Sequence, residues 1–209
     1  LVTSEIPMAY VLQENETKES MIIDIEREED IGRYVVYGKS YTLYQKEPAE
    51  GYAQHSPVTF TVEKENTDIH FAYVHGYPVT LESEVLAKAI VYKDKECKEP
   101  LINHLGKPMC ITPKDQVFLP SGTYYYRYED IDSHYYAIED VFSFEVKDDK
   151  VTIQPDFTQV KKTILSGTLL PYTFTLTKEN GDVVEQWLND GQTKQIVLER
   201  DTEYTLKSD

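Results

Sequence analysis

The sequence repeats itself, and this feature restricts the fold more than any other. The segment GKSY at 38–41 returns as GTYY at 122–125, with glycine first and tyrosine fourth. The segment VTFTVEKEN at 58–66 returns as FSFEVKDDK at 142–150, and the offset between the copies is the same in both cases. A third, partial copy, DTEYTLKSD, begins at Asp201. Two markers with one period indicate tandem units, and a period of about 80 residues is the size of a small domain.

An upstream segment repeats with nearly the same period. It reads IPMAYVLQ at 6–13, LAKAIVYK at 86–93 and LLPYTFTL at 169–176. This second series of copies supports the tandem arrangement independently of the first.

The copies predict three domains, at 1–76, 77–157 and 158–209. The boundaries fall near HGYP and QPDFTQ, and segments this short do not act as flexible linkers. The first domain is expected to lack its opening strand, and the third is expected to be truncated. The chain begins without Met, a basic leader or a long apolar run, and the third copy stops mid-pattern at Asp209. We therefore interpret it as an internal fragment or a trimmed mature chain.

The alternation of apolar and polar residues within each unit predicts β-strands. Tyr41, Leu43 and Gln45 fall on one side of a strand, and the residues between them fall on the other. Short strands of this kind recur along the chain with Gly, Pro, Asn and Asp between them, which is typical of β-sandwiches. The segment ESMIIDIEREEDIG at 19–32 comes closest to a helix, but it also fits a strand followed by an acidic turn. We therefore predict an all-β protein made of tandem β-sandwich domains.

The charge of the chain restricts its partners. The formal net charge is −16 at pH 7, which argues against binding to nucleic acid or to anionic membrane surfaces and also favours solubility. No apolar run is long enough to span a membrane, so membrane insertion is not expected.

The residues that carry chemistry do not form a recognisable catalytic or metal-binding pattern. The five histidines have no metal-ligand spacing with one another or with cysteine, and no nucleophile elbow or phosphate loop is present. We therefore predict no enzymatic activity, no metal and no cofactor. The separation of Cys97 and Cys110, the only two cysteines, would suit two neighbouring strands joined by a loop. A disulfide between them and two free thiols both remain open.

Six tyrosines fall between positions 124 and 136. Alternation sends Tyr124 and Tyr126 to the same face of a strand. In one interpretation the tyrosines pack in a sheet or between domains. In the other, Tyr124, Tyr126, Tyr128 and Tyr135 form a ligand-binding surface with an acidic rim, which would favour a basic partner such as collagen or another matrix protein.

Four segments carry a resemblance to a known family: YTLYQKEPAEGY at 41–52, PVTFTVEKEN at 57–66, LAKAIVYKDKE at 86–96 and LPSGTYYYRYED at 119–130. In this order they resemble the B-type (CnaB-like) repeats of Gram-positive collagen adhesins and the related domains of sortase-assembled pilins. The resemblance implies a transthyretin-like (prealbumin-like) β-sandwich of about seven strands in each unit.

The resemblance also implies an internal isopeptide bond between a lysine on the first strand and an asparagine on the last, assisted by a central glutamate. The second domain has no lysine in its opening strand at 79–85, so no bond is expected there. In the first domain Gln45 stands at the position of the central acid and His75 at that of the asparagine. The remaining candidates are Lys161 and Lys162 in the third domain.

The function implied by the resemblance is that of a non-enzymatic stalk or spacer in a Gram-positive cell-surface adhesin or pilus-type protein. The expected location is extracellular and anchored to the cell wall, and the expected partners are a host extracellular-matrix protein or neighbouring domains of surface proteins. The alternative is direct ligand binding by the tyrosine-rich strand of the second domain.

Overall fold

The computed structural model describes residues 1–64, 68–165 and 170–209. Apart from one short 3-10 helix, Ile31–Tyr34, the regular structure in these residues consists of β-strands, so the prediction of an all-β protein is confirmed. None of the helical structure in this part of the chain is long and apolar enough to cross a membrane.

The chain forms two compact units. Unit 1 contains residues 1–129 and 140–155, and unit 2 contains residues 130–139 and 156–209. The sequence predicts a domain boundary near residue 157, which assigns 130–139 to the second domain, whereas the structure builds this segment into unit 2.

Unit 1 contains two β-sandwiches, and the first is built from the N-terminal residues. Its strands are β1 (Val2–Ser4), β2 (Met8–Glu14), β3 (Ser20–Ile25), β4 (Glu28–Glu29), β5 (Ser40–Gln45), β6 (Val58–Thr61) and β7 (Ile69–Phe71). They form one sheet in the order β4-β1-β7 and another in the order β3-β2-β5-β6. Side chains from both sheets share one buried core, in which the alternation predicted for β5 is observed: Tyr41, Leu43 and Gln45 are buried.

The second sandwich has the same topology. Its strands are β8 (Tyr77–Leu81), β9 (Lys88–Tyr92), β10 (Cys110–Ile111), β11 (Gln116–Leu119), β12 (Gly122–Glu129), β14 (Phe142–Val146) and β15 (Val151–Ile153), whereas β13 (Tyr135–Ala137) belongs to unit 2. The sheets have the orders β11-β8-β15 and β10-β9-β12-β14. A separate core contains Val79, Val91, Tyr124 and their neighbours.

Unit 2 repeats part of this topology. It contains β13, β16 (Phe157–Gln159), β17 (Lys161–Ile164), β18 (Thr173–Lys178), β19 (Val183–Leu188), β20 (Lys194–Val197) and β21 (Tyr204–Ser208). The pair β17-β20 corresponds to β1-β4 and β8-β11, and the sheet β19-β18-β21 corresponds to β3-β2-β5. Among the strands that the structure describes in unit 1, the pair β13-β16 has no counterpart.

The expectation that the first domain lacks its opening strand is wrong. Residues Val2–Ser4 form that strand and pair in parallel with Ile69–Phe71, as β8 pairs in parallel with β15 in the second sandwich. A strand this short has too little alternation to be recognised, and its pairing partner lies at the other end of the domain's sequence.

In the repeated segments GKSY and GTYY, the tyrosine that enters the core stands at different positions: fourth in the first copy and third in the second. The sequence match aligned Tyr41 with Tyr125, but the buried tyrosines are Tyr41 and Tyr124. These two face Phe60 and Phe144 on the neighbouring strand and stack on them. Because side chains alternate between the faces of a strand, the shift decides which tyrosine enters the core.

Candidate functional sites

A polar network lies inside the first sandwich, where the resemblance places the central acid. Gln45 on β5 is fully buried. Its Nε2 donates a hydrogen bond to the Tyr73 hydroxyl at 3.2 Å, and its Oε1 accepts one from the backbone N–H of His55 at 3.1 Å. Both ends of the amide are therefore paired, as a buried polar group requires.

The network continues from Tyr73 to the opening strand. The hydroxyls of Tyr73 and Tyr10 are 2.6 Å apart, and Tyr10 Oη lies 3.4 Å from Ser4 Oγ. Ser4 Oγ in turn donates to the carbonyl of Ile6 at 2.6 Å. Burial raises the pKa of Tyr10, which keeps its hydroxyl protonated and able to donate. Hydrogen bonds thus tie β1, β2, β5 and the chain after β7 together at the place where the resembling family carries its covalent bond.

His55 borders this network in a poorly hydrated position. Its ring lies edge-on to Tyr73, at 4.7 Å between centroids, and to Phe71, at 5.6 Å. Within the described residues, its Nε2 is buried and has no hydrogen-bond partner. Burial lowers the pKa of His55, with a smaller opposing effect from a hydrogen bond to the backbone of Ala72. The ring is therefore neutral at neutral pH.

A second polar contact joins the two sandwiches of unit 1. Gln54 Oε1 accepts from the backbone N–H of His104 at 3.0 Å and lies 2.9 Å from His104 Nδ1. Because a backbone N–H only donates, the Gln54 atom that faces it is the carbonyl oxygen, and His104 Nδ1 must carry a hydrogen. The loop between β5 and β6 is thereby fastened to the loop between β9 and β10.

Aromatic rings and a glycine complete this junction. The ring of His75 lies edge-on to Tyr52 at 6.1 Å and to Tyr77 at 4.9 Å. At Gly76 a Cβ would come within 2.9 Å of the backbone of Phe118, so the close approach requires glycine. His75 therefore contributes to the junction and does not stand in for the asparagine of an isopeptide bond.

In unit 2, segment 130–139 is held by backbone hydrogen bonds. Its strand β13 pairs with β16. Val160 N–H donates to the carbonyl of His134 at 2.7 Å, and Arg200 N–H donates to the carbonyl of Ser133 at 2.8 Å. Arg200 Nη2 also donates to the carbonyl of Ile131 at 2.8 Å.

Side-chain contacts reinforce this attachment. His134 Nδ1 lies 2.9 Å from Asp132 Oδ1, and His134 Nε2 lies 3.7 Å from Glu199 Oε1. Lys178 Nζ donates to the same Glu199 oxygen at 2.8 Å. Hydrogen bonds from the backbone and side chain of His134 lower the pKa of Asp132. The four side chains form one alternating series of acidic and basic groups.

The structure corrects the predicted tyrosine surface. Tyr124 and Tyr126 are core residues and stack on Phe144 and Phe142, so they are not accessible to a ligand. Burial raises the pKa of both hydroxyls. Tyr128 is half-buried and packs against the same core. The ligand-binding hypothesis is wrong for Tyr124 and Tyr126.

Tyr135, the fourth residue of the hypothesis, lies on β13 in unit 2. Its side chain is half-buried, and its partner across the β13-β16 pair is Gln159. Its role in ligand binding remains a prediction.

Cys97 and Cys110 are free thiols in this structure. They belong to one small cluster with Ile90, Tyr92 and Tyr125. Burial raises the pKa of the Cys97 thiol, which reduces its reactivity at neutral pH. Their shared cluster is compatible with a disulfide, so the two alternatives of the sequence analysis, a disulfide and two free thiols, both stay predictions.

Lys161 and Lys162 lie on β17 opposite Val197 and Ile196, and both side chains are exposed. An isopeptide bond requires a buried, deprotonated lysine beside a protonated carboxyl group, and exposure does not provide that environment. Among the described residues, no group of three or more His, Cys, Asp or Glu side chains is arranged to hold a metal ion.

No protein-family profile matches the sequence, and no curated protein matches it either. Among solved structures, the chain is similar to the Bacillus anthracis TIE protein, with 15% identity and a TM-score of 0.36 over 99% of this chain. It is also similar to a streptococcal ancillary pilin (12%, TM-score 0.32, 99% of this chain) and to the pilus adhesin SpaC from Lactobacillus rhamnosus GG (10%, 0.31, 98%).

The chain spans 44% of the TIE protein, 88% of the ancillary pilin and 36% of SpaC. TM-scores of this size do not assign the chain to a family.

Proposed function

We propose that this chain is a non-enzymatic stalk or spacer segment of a Gram-positive surface adhesin or pilus-type protein. The observation that carries the proposal is the parallel pairing of the opening and closing strands in both sandwiches of unit 1, β1 with β7 and β8 with β15. A segment of a stalk has to transmit tension along the chain, and this pairing suits that task.

The physical argument concerns the direction of the load. In a parallel pair, the N-terminal end of the first strand and the C-terminal end of the last strand lie at opposite ends of the pair. Tension applied along the chain therefore pulls the two strands past each other and loads their hydrogen bonds together. Strands pulled from the same end would instead separate one hydrogen bond at a time.

Two further features support the proposal. The network from Ser4 through Tyr10 and Tyr73 to Gln45 joins the loaded strands to the second sheet. The contact between Gln54 and His104 fastens consecutive sandwiches without a flexible linker. We further propose that the segment lies outside the cell in a wall-anchored protein, with neighbouring surface-protein domains or a host matrix protein as partners.

Single-molecule force spectroscopy tests the proposal directly. Handles at Leu1 and Val74 pull β1 and β7 from opposite ends of the parallel pair and load their hydrogen bonds in shear. Handles at Leu1 and Asp68 pull both strands from their N-terminal ends, so that the strands separate one hydrogen bond at a time. Both geometries release about 250 Å of chain, because each residue extends by up to about 3.6 Å. We expect a clearly higher unfolding force for the first pair of handles. Equal forces would contradict the proposed load-bearing role.

A further inference from the structure

The outer edge of the first sandwich carries a strand with a free side. Strand β3 is the end strand of the sheet β3-β2-β5-β6 and pairs only with β2 in the described part of the chain. Glu14 N–H donates a hydrogen bond to the carbonyl of Glu19 at 2.9 Å, so the backbone groups of Glu19 point toward β2. Because this direction alternates from residue to residue along an antiparallel strand, the backbone groups of Met21 also point toward β2. The backbone N–H and C=O of Ile22 therefore point away from the sheet. An unpaired edge of this kind is a template for another strand.

Apolar side chains are exposed along this edge and on the loop beside it. Met21 and Ile22 on β3 are 40% and 55% exposed, and Val36 and Tyr37 on the loop are 57% and 64% exposed. Because side chains alternate along β3, Met21 lies on the face where it lines one groove with Val36, whereas Ile22 lies on the outer face with Asp24. Isolated exposed apolar residues are ordinary, but Met21 and Val36 together form an apolar patch suited to a partner.

A groove of about 310 Å³ lies beside the edge strand, and Leu12, Tyr34 and Val36 line it together with Met21. Its loop wall is held in place, because Val36 N–H donates to the Tyr41 hydroxyl at 3.0 Å and Lys39 N–H donates to the Val36 carbonyl at 3.2 Å. The groove is therefore formed before any partner binds.

The groove also has an acidic lining, in which two carboxylates, Glu14 and Glu19, face one cation, Lys39. The buried Glu14 carboxylate accepts backbone N–H groups of Glu16 and Thr17 at 3.1 and 3.0 Å, and Lys39 Nζ lies 3.6 Å away. Hydrogen bonding, first of all with Thr17, lowers the pKa of Glu14 to about 2. The exposed Glu19 lines the same groove.

Asp24 extends the acidic character to the outer face of β3, where its side chain is exposed. The apolar patch is thus flanked by carboxylates on both faces of the edge strand. The whole chain has a formal net charge of −16, which adds long-range attraction for a basic partner.

We propose that this edge groove binds an extended segment of a partner protein that carries alternating apolar and basic residues. The segment adds a strand to β3 through the outward backbone groups of Ile22. Because side chains alternate along a strand, its apolar residues enter the groove against Met21 and Val36, and its basic residues lie on the outer face beside Asp24. This binding role is separate from the stalk function and does not depend on it.

Fluorescence anisotropy with a labelled, end-blocked decapeptide of alternating valine and lysine tests the proposal on the whole chain. We expect saturable binding to the unchanged chain. Binding should be at least about tenfold weaker after Val36→Lys, which places a repelling charge in the groove. It should weaken to the same extent after Ile22→Pro, which removes the outward N–H. The matched controls are Val74→Lys, an apolar residue of similar exposure, and Thr61→Pro, on the opposite edge strand β6. Both should bind like the unchanged chain, and circular dichroism checks that each variant is folded.

Three results of the peptide-binding experiment would overturn the proposal. The first is absence of saturable binding, and the second is equal weakening in the control variants. The third is equal affinity for a decapeptide of alternating serine and lysine, which would reduce the interaction to charge alone. Sedimentation of the chain without peptide identifies a different occupant: a dimer that Ile22→Pro dissociates would assign the edge to a second copy of the chain and also overturn the proposal.

Discussion

Replacing Tyr73 by phenylalanine removes the hydroxyl that links the two halves of the buried network in the first sandwich. Gln45 Nε2 then loses its partner at 3.2 Å, and Tyr10 Oη loses its partner at 2.6 Å. Gln45 and Tyr10 are both fully buried, so water does not replace the missing hydroxyl. Tyr10 keeps only the long contact of 3.4 Å to Ser4.

The cost of this substitution follows from the two groups that it leaves without a partner. A buried donor or acceptor without a partner costs about 1–3 kcal/mol. Because Tyr10 keeps its contact to Ser4, we expect Tyr73→Phe to lower the free energy of unfolding by about 2–4 kcal/mol, the lower part of the sum for two groups. At about 2–4 °C for each kcal/mol in a unit of this size, the Tm should fall by about 5–15 °C. Urea unfolding followed by far-ultraviolet circular dichroism measures the free energy, and scanning calorimetry measures the Tm.

Tyr37→Phe is the matched control, because it removes the same atom from a side chain that is 64% exposed. It should change the free energy of unfolding by less than about 0.5 kcal/mol. A loss for Tyr73→Phe no larger than that of the control would refute the claim that hydrogen bonds stabilise this site. Adding Tyr10→Phe to Tyr73→Phe should cost less than the sum of the two single changes, because the two hydroxyls are mutual partners.

Three further predictions concern other parts of the molecule. Burial lowers the pKa of His55 below its unfolded value of about 6.5, although the nearby Glu5 opposes the shift. The unfolded chain therefore binds more protons at this residue, and the free energy of unfolding should fall as the pH drops below about 6.5. His55→Gln should flatten that part of the pH profile, measured by urea unfolding. Arg200→Ala should cost unit 2 about 1–2 kcal/mol through the lost bond to Ile131 and speed amide hydrogen exchange in segment 130–139, and unchanged exchange would contradict this role. Intact mass of the whole chain after complete reduction should equal the sequence mass, and a deficit of one ammonia or one water would reveal an isopeptide bond.

The all-β class, the tandem copies and the faces of several strands could be predicted from the sequence, because these features depend on local patterns. The alternation places Tyr41, Leu43 and Gln45 on one face of a strand, and the structure buries that face. The segment at 19–32, left open between helix and strand, forms β3, β4 and the beginning of the 3-10 helix. Its β-branched residues and its acidic turn favour that outcome locally.

The candidate sites depend on contacts between residues that are distant in the sequence, and only the tertiary structure decided them. Ser4, Tyr10, Gln45 and Tyr73 have no common motif, yet the parallel pairing of β1 with β7 brings them into one network. The core position of Tyr124, rather than Tyr125, depends on a strand register that repeated letters do not specify. Segment 130–139 follows β12 along the chain but belongs to unit 2, because its hydrogen-bonding partners lie at 157–160 and 200. Local patterns determine which residues form strands, and long-range pairing determines which polar side chains meet.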